Sequence, residues 1–85
     1  MSRYQYVLDE DVLAVVLLAR SRDRNVLLRG FEWLSNNPHD TGEKTEFTTS
    51  LRPVFTKRFG DWYVTFWQDH LVSEIRIIAV SHLEP

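Results

Sequence analysis

The chain has 85 residues, a formal net charge of -2, 44% apolar and 13% aromatic residues, and no cysteine. That length allows one domain, which on folding hides only about 60 to 65% of the unfolded chain's surface. The apolar content excludes a disordered chain, the missing cysteines exclude a disulfide framework and a thiolate zinc site, and the mildly acidic balance argues against a broad nucleic-acid surface built on clustered Lys and Arg.

Tyr4, Gln5, Tyr6, Val7 and Leu8 are aromatic and β-branched enough to predict a first strand. Asp9, Glu10 and Asp11 follow, where the N-terminal dipole of a helix favours carboxylates. The apolar run at 12–19 is eight residues long, short of the roughly 20 that span a bilayer. Acids precede it where a signal peptide is basic, so a soluble cytoplasmic protein with no membrane partner is expected. Its valines favour a strand, but its length and acidic start favour a helix to Arg20. Being apolar on most sides, this helix is expected to be covered by the core on more than one side rather than to form a docking face.

Val26, Leu27, Phe31 and Leu34 recur every three to four residues, predicting a second, amphipathic helix over 23–35 that Gly30 slightly weakens. Asn36, Asn37 and Pro38 end it, so the helices form a hairpin, and 39–44 is a polar loop. Phe47, Thr48 and Thr49, then 54–59, are candidate strand segments, with Pro53 marking an edge or kink between them. Between 44 and 58, Lys44, Arg52, Lys57 and Arg58 face only Glu46 in opposition, a local basic strip. A run at 59–67 containing Trp62 and Trp67, a polar turn at 68–70 and a second run at 75–82 predict an antiparallel hairpin. The expected class is α+β, one domain over 1–85: an N-terminal strand and a two-helix hairpin packed on a small antiparallel sheet of three to four strands.

This order resembles the RelE/ParE toxin superfamily. Tyr6, Val7 and Leu8 lead into the first helix; Phe31 to Pro38 is similar to the family's second-helix ending; Leu51 and Arg52 resemble its leucine-plus-basic step. Trp62, Tyr63, Val64, Thr65 and Phe66 align with its third strand, usually an aromatic, an arginine, two apolar residues and an aromatic. Ala79, Val80, Ser81 and His82 sit on its closing segment. The resemblance implies the toxin of a type II toxin-antitoxin module, acting by ribosome-dependent mRNA cleavage or by gyrase poisoning. Its partners would be a cognate antitoxin protein and either ribosome and mRNA or DNA gyrase. Departures from the pattern point to an alternative, an inactive RelE/ParE-like module that holds an antitoxin-like peptide. The third-strand arginine, which contacts the scissile phosphate in the ribonuclease branch, is Tyr63; the closing arginine is Leu83; and the sequence ends at Pro85 without the tyrosine some members use as a base. An unrelated regulatory domain of the same architecture is a third class, since a fold alone does not fix function.

Cleavage by 2'-hydroxyl attack needs a base, cations for the phosphorane and an acid for the leaving oxygen. His82 can move protons near neutrality, and the catalytic assignment is His82 with Arg58. Arg52 and Lys57 would contact phosphate, while Tyr63 and Trp67 would stack on unpaired bases. On strict alternation Tyr63, Thr65 and Trp67 share one sheet face and Trp62, Val64 and Phe66 the other. The bland alternatives are that Tyr63 and Trp67 cover the sheet or dock a partner, that His82 caps the last strand and that Lys57 with Arg58 keeps an edge soluble. Ser81 and His82, adjacent on a strand, point to opposite faces and form no nucleophile pair. His39, His70 and His82 are scattered, with no helix-spaced ligand pair, so neither a metal nor a cofactor is expected.

Overall fold

The computed structural model describes residues 4–83, in the order β1 (Gln5–Leu8), α1 (Glu10–Leu18), α2 (Ser21–Asn36), β2 (Lys44–Phe47), β3 (Pro53–Phe59), β4 (Trp62–Asp69) and β5 (Glu74–His82). The strands form one sheet in the order β1-β5-β4-β3-β2, and both helices pack on one of its faces, α1 over β5 and α2 over β1, β5 and β3. The architecture is α+β as expected, but the sheet has five strands rather than three to four. The N-terminal strand is the reason: it joins the sheet by pairing parallel to β5, with Tyr6 opposite Ile75 and Leu8 opposite Ile77. The other pairings are antiparallel.

The core forms where helical and strand periodicities meet. Leu27, Phe31 and Leu34, four and three residues apart on α2, are buried against Phe55, Val64, Phe66, Ile75 and Ile77 of the sheet. α1 departs from expectation. Only Val12 and Val16, one turn apart, are buried, whereas Leu13, Leu17 and Leu18 are 45%, 65% and 87% exposed. The sheet covers one stripe of α1, and α2 does not wrap round to its other side.

The strand limits also move. Gly60 takes φ 58° and with Asp61 forms a two-residue turn between the paired Phe59 and Trp62, so the run predicted over 59–67 is divided there. Positive φ at the first central residue is the hairpin geometry glycine permits. β2 starts at Lys44 and stops at Phe47, leaving Thr48 and Thr49 in the next turn; Gln68 and Asp69 are still paired in β4, so the final turn follows them. Pro53 opens β3, a position where its missing N–H costs no interior ladder bond. Pro85 lies outside the described residues.

Candidate functional site

The face of the sheet turned away from the helices carries a cationic and aromatic cluster, and the register decides its members. Tyr63 pairs with Arg58 and Ser81, Thr65 with Thr56 and Ala79, and Trp67 with Arg76, so these side chains share the outer face while Trp62, Val64 and Phe66 are buried beneath the helices. Thr56 and Thr65 touch through their hydroxyls at 3.4 Å. The Arg52 guanidinium lies 4.0 Å over the Trp67 ring and that of Arg76 is 6.0 Å from it, placing the indole within cation–π range of two cations. Arg76 also donates to Glu74 at 3.1 Å. Arg58 donates from Nε to the Gly60 carbonyl at 2.7 Å and lies 3.7 Å from Asp61.

Arg52 reaches Trp67 because the β2–β3 turn presents it. Thr48 accepts at its hydroxyl from the Arg52 N–H, its own N–H donates to the Arg52 carbonyl, and its carbonyl accepts from the Leu51 N–H. This knot holds Leu51 at φ 61° with its side chain 79% exposed, a backbone region unfavourable for a branched aliphatic residue. Leu51→Asn keeps the turn while easing that conformation and should raise stability by up to about 1 kcal/mol; a lower thermal midpoint would contradict this account of the turn.

The six residues selected from sequence therefore divide. Arg52, Arg58, Tyr63 and Trp67 come together on the outer face, whereas Lys57 and His82 stand on the helix face. Lys57 reaches over the Trp33 ring at 4.8 Å and lies 3.7 Å from both Asp40 and Glu43. His82 sets its ring 4.9 Å from Trp62 at 79°. It borders an open cavity of about 440 Å³ lined also by Val15, Leu18, Ala19, Arg20 and Asp23.

A bulge explains the displacement of His82. Thr65 pairs with Ala79 and Phe66 with Ile77, so Ile78 is an extra residue on β5. The insertion reverses the inside–outside alternation of everything beyond it. Ile75 and Ile77 face the core before the bulge; Val80 and His82 lie opposite the inward-facing Val64 and Trp62 after it.

Sequence reasoning missed Arg76. The signal was present: a single cation between Ile75 and Ile77, both fully buried, must point away from the core. It also treated His39 and His70 as scattered, whereas their rings stack at 5.3 Å and the Tyr4 hydroxyl lies 2.6 Å from His70 Nδ1. The loop after α2 and the turn after β4 bring them together at the end of the sheet near β1. Among the described residues no group of three His, Cys, Asp or Glu side chains is placed to hold a metal ion, and no helix is long and apolar enough to cross a membrane.

Two helices on one face of a five-stranded sheet, with the chain returning through an antiparallel meander to end beside its own first strand, define an α+β class to which solved structures can be compared. The fold is RelE-like. A chain of the toxin-antitoxin complex RelBE2 from Mycobacterium tuberculosis superposes with TM-score 0.78 at 17% identity, covering 95% of this chain and 99% of that one. A chain of the archaeal RelE-RelB complex from Pyrococcus horikoshii gives TM-score 0.76 at 14% identity, covering 96% and 97%. No family model and no curated protein matches the sequence.

Proposed function

We propose that this chain is the toxin of a type II toxin-antitoxin pair and that it engages single-stranded RNA on the outer face of its sheet. The observation that carries the reading is the Arg52–Trp67–Arg76 cluster, with Arg58 and Tyr63 beside it, on a fold similar to that of proteins solved in toxin-antitoxin complexes. Cations track phosphates and an aromatic face stacks on a base of any identity, so the arrangement suits an unpaired strand. The partner expected from those complexes is a small antitoxin.

A second reading, RNA binding without cleavage, is favoured by the position of His82. It is the only histidine on a described strand and it faces the helices, so the proton donor chosen from sequence shares its face with Lys57 and lies on the opposite face of the sheet from Arg52 and Arg58. Cleavage would have to take its base and acid from other groups.

Induced expression of the folded chain, with and without whatever small protein a neighbouring gene encodes, tests the assignment. Arrest relieved by that neighbour is expected, and mapped RNA ends then separate cutting from occlusion. Arrest with intact RNA but inhibited DNA supercoiling would move the target to gyrase. In titrations with a short oligoribonucleotide, Trp67→Ala should weaken binding about tenfold, toward the lower part of the roughly 1–3 kcal/mol associated with a stacked base. Lys57→Ala and His82→Ala should leave it unchanged. Equal losses from both faces would remove the outer face as the binding surface.

A further inference from the structure

We infer that the exposed stripe of α1 is an interface between two copies of this chain, packed antiparallel about a two-fold axis. The stripe consists of Leu13, Ala14, Leu17 and Leu18, all exposed, at the spacings that make one continuous face of a helix. It lies opposite the Val12 and Val16 stripe that packs on the sheet, so α1 has two apolar faces and the fold covers one.

The occupant is identified by charge. Asp9, Glu10 and Asp11 stand at the N-terminal end of the stripe, Arg20 and Arg22 just beyond its C-terminal end, and all five are exposed. None of them forms an ion pair among the described residues. A parallel copy would set acid on acid and base on base. In an antiparallel copy with Leu13 against the partner's Leu17, Glu10 at the start of one α1 stands at the end of the other, where Arg20 follows the last helical residue, Leu18. The two-fold axis repeats both contacts. Ala14, small and near the middle, lets the helices approach to the usual 8–10 Å, and the opposed helix dipoles add to the ion pairs.

Three leucines and their rim make a small interface, in the weak and transient class, and screening of the ion pairs should weaken it further as salt rises. The helix layers would lie inside the dimer and the outer sheet faces outside, so the inference does not rest on the RNA reading.

The test is sedimentation equilibrium of the full chain from about 10 µM to 1 mM, where transient interfaces associate, with circular dichroism to verify folding. Concentration-dependent dimer that dissociates at high salt and is abolished by Leu17→Glu is expected. The Glu10→Lys/Asp11→Lys variant should be monomeric, and so should Arg20→Glu/Arg22→Glu. Mixed in equal amounts they should dimerise, because each end then meets its opposite sign. That rescue cannot arise from misfolding. A folded wild-type monomer at the top concentration overturns the inference, as does a dimer indifferent to Leu17→Glu. If the wild type stays monomeric while the neighbouring antitoxin candidate binds and Leu17→Glu blocks it, the stripe belongs to that partner and the self-association fails. The toxin reading would still stand.

Discussion

Replacing Arg24 with alanine should lower the free energy of unfolding by about 2 to 3 kcal/mol, although Arg24 is neither a core residue nor part of the outer-face cluster. From the first turn of α2 its Nε donates to the Val16 carbonyl at 3.0 Å, and its Nη2 donates to the carbonyls of Leu17 and Ala19 at 3.1 and 2.9 Å. Those carbonyls close α1, a helix of nine residues with no basic residue of its own in its last turn. A helix that short is not stable alone; the Val16 carbonyl also accepts from the Ala19 N–H at 3.4 Å, but the carbonyls of Leu17 and Ala19 would otherwise be orphan acceptors. Each charge-assisted bond contributes about 1.5 to 3 kcal/mol where water cannot replace it. Here the surroundings are partly exposed, so water recovers much of the sum. Urea denaturation should show a lower midpoint at unchanged slope, and the thermal midpoint should fall by roughly 8 to 20 °C. Hydrogen exchange should quicken in α1 before α2. Arg24→Lys, with one ammonium for three divergent carbonyls, should recover less than half of the loss. A loss for Arg24→Ala under about 0.5 kcal/mol would mean that solvent caps α1 as well as the guanidinium does.

The contrast between Arg24 and the leucines near it shows what the sequence discloses. Leu27, Phe31 and Leu34 announce a buried face because a helix turns at a fixed rate. Val64 and Phe66 do so because a strand alternates. Arg24 announces nothing, since its partners are main-chain carbonyls on another element. α1 was expected to be covered because continuous apolar residues suggest burial, but composition cannot say how many neighbours the fold supplies, and here one sheet face is all it meets.

The site was legible to the same extent. Tyr63, Thr65 and Trp67 follow from alternation, and Arg58 joins them through the tight Gly60–Asp61 turn. His82 does not, because a single inserted residue at Ile78 reverses the phase of the strand. Nothing in the run from Ile75 to His82 marks where that insertion falls: Ile77, Ile78, Ala79 and Val80 are all apolar, and the alternation that would reveal a phase change has no polar residues to mark it. The Arg52 contact with Trp67 depends likewise on a turn conformation that Leu51 disfavours, so propensity alone would not have placed it.

Gly30→Ala should destabilise the fold by up to about 2 kcal/mol, opposite in sign to the usual effect of the change in a helix interior, which gains about 1 kcal/mol. A Cβ at this position would stand 2.8, 2.9 and 3.2 Å from Cγ, Cδ2 and Cδ1 of Phe59, distances at which the ring must retreat. Its retreat is restricted. Phe59 meets Trp33 edge-on at 6.0 Å, and its strand position is set by pairing with Trp62 at the tight turn. Overpacking of this kind costs about 1 to 3 kcal/mol, and toward the upper end it exceeds the propensity gain. The glycine therefore serves as the seat for an aromatic ring where α2 crosses β3, a role that a reading of Gly30 as a mere weak point in the helix does not contain. Gly30→Ala combined with Phe59→Leu, whose narrower side chain can move aside, should recover at least half of the loss. If Gly30→Ala alone raises the urea midpoint, helix propensity outweighs the ring contact and Phe59 is free to move. A loss that Phe59→Leu does not relieve would place the strain elsewhere on α2.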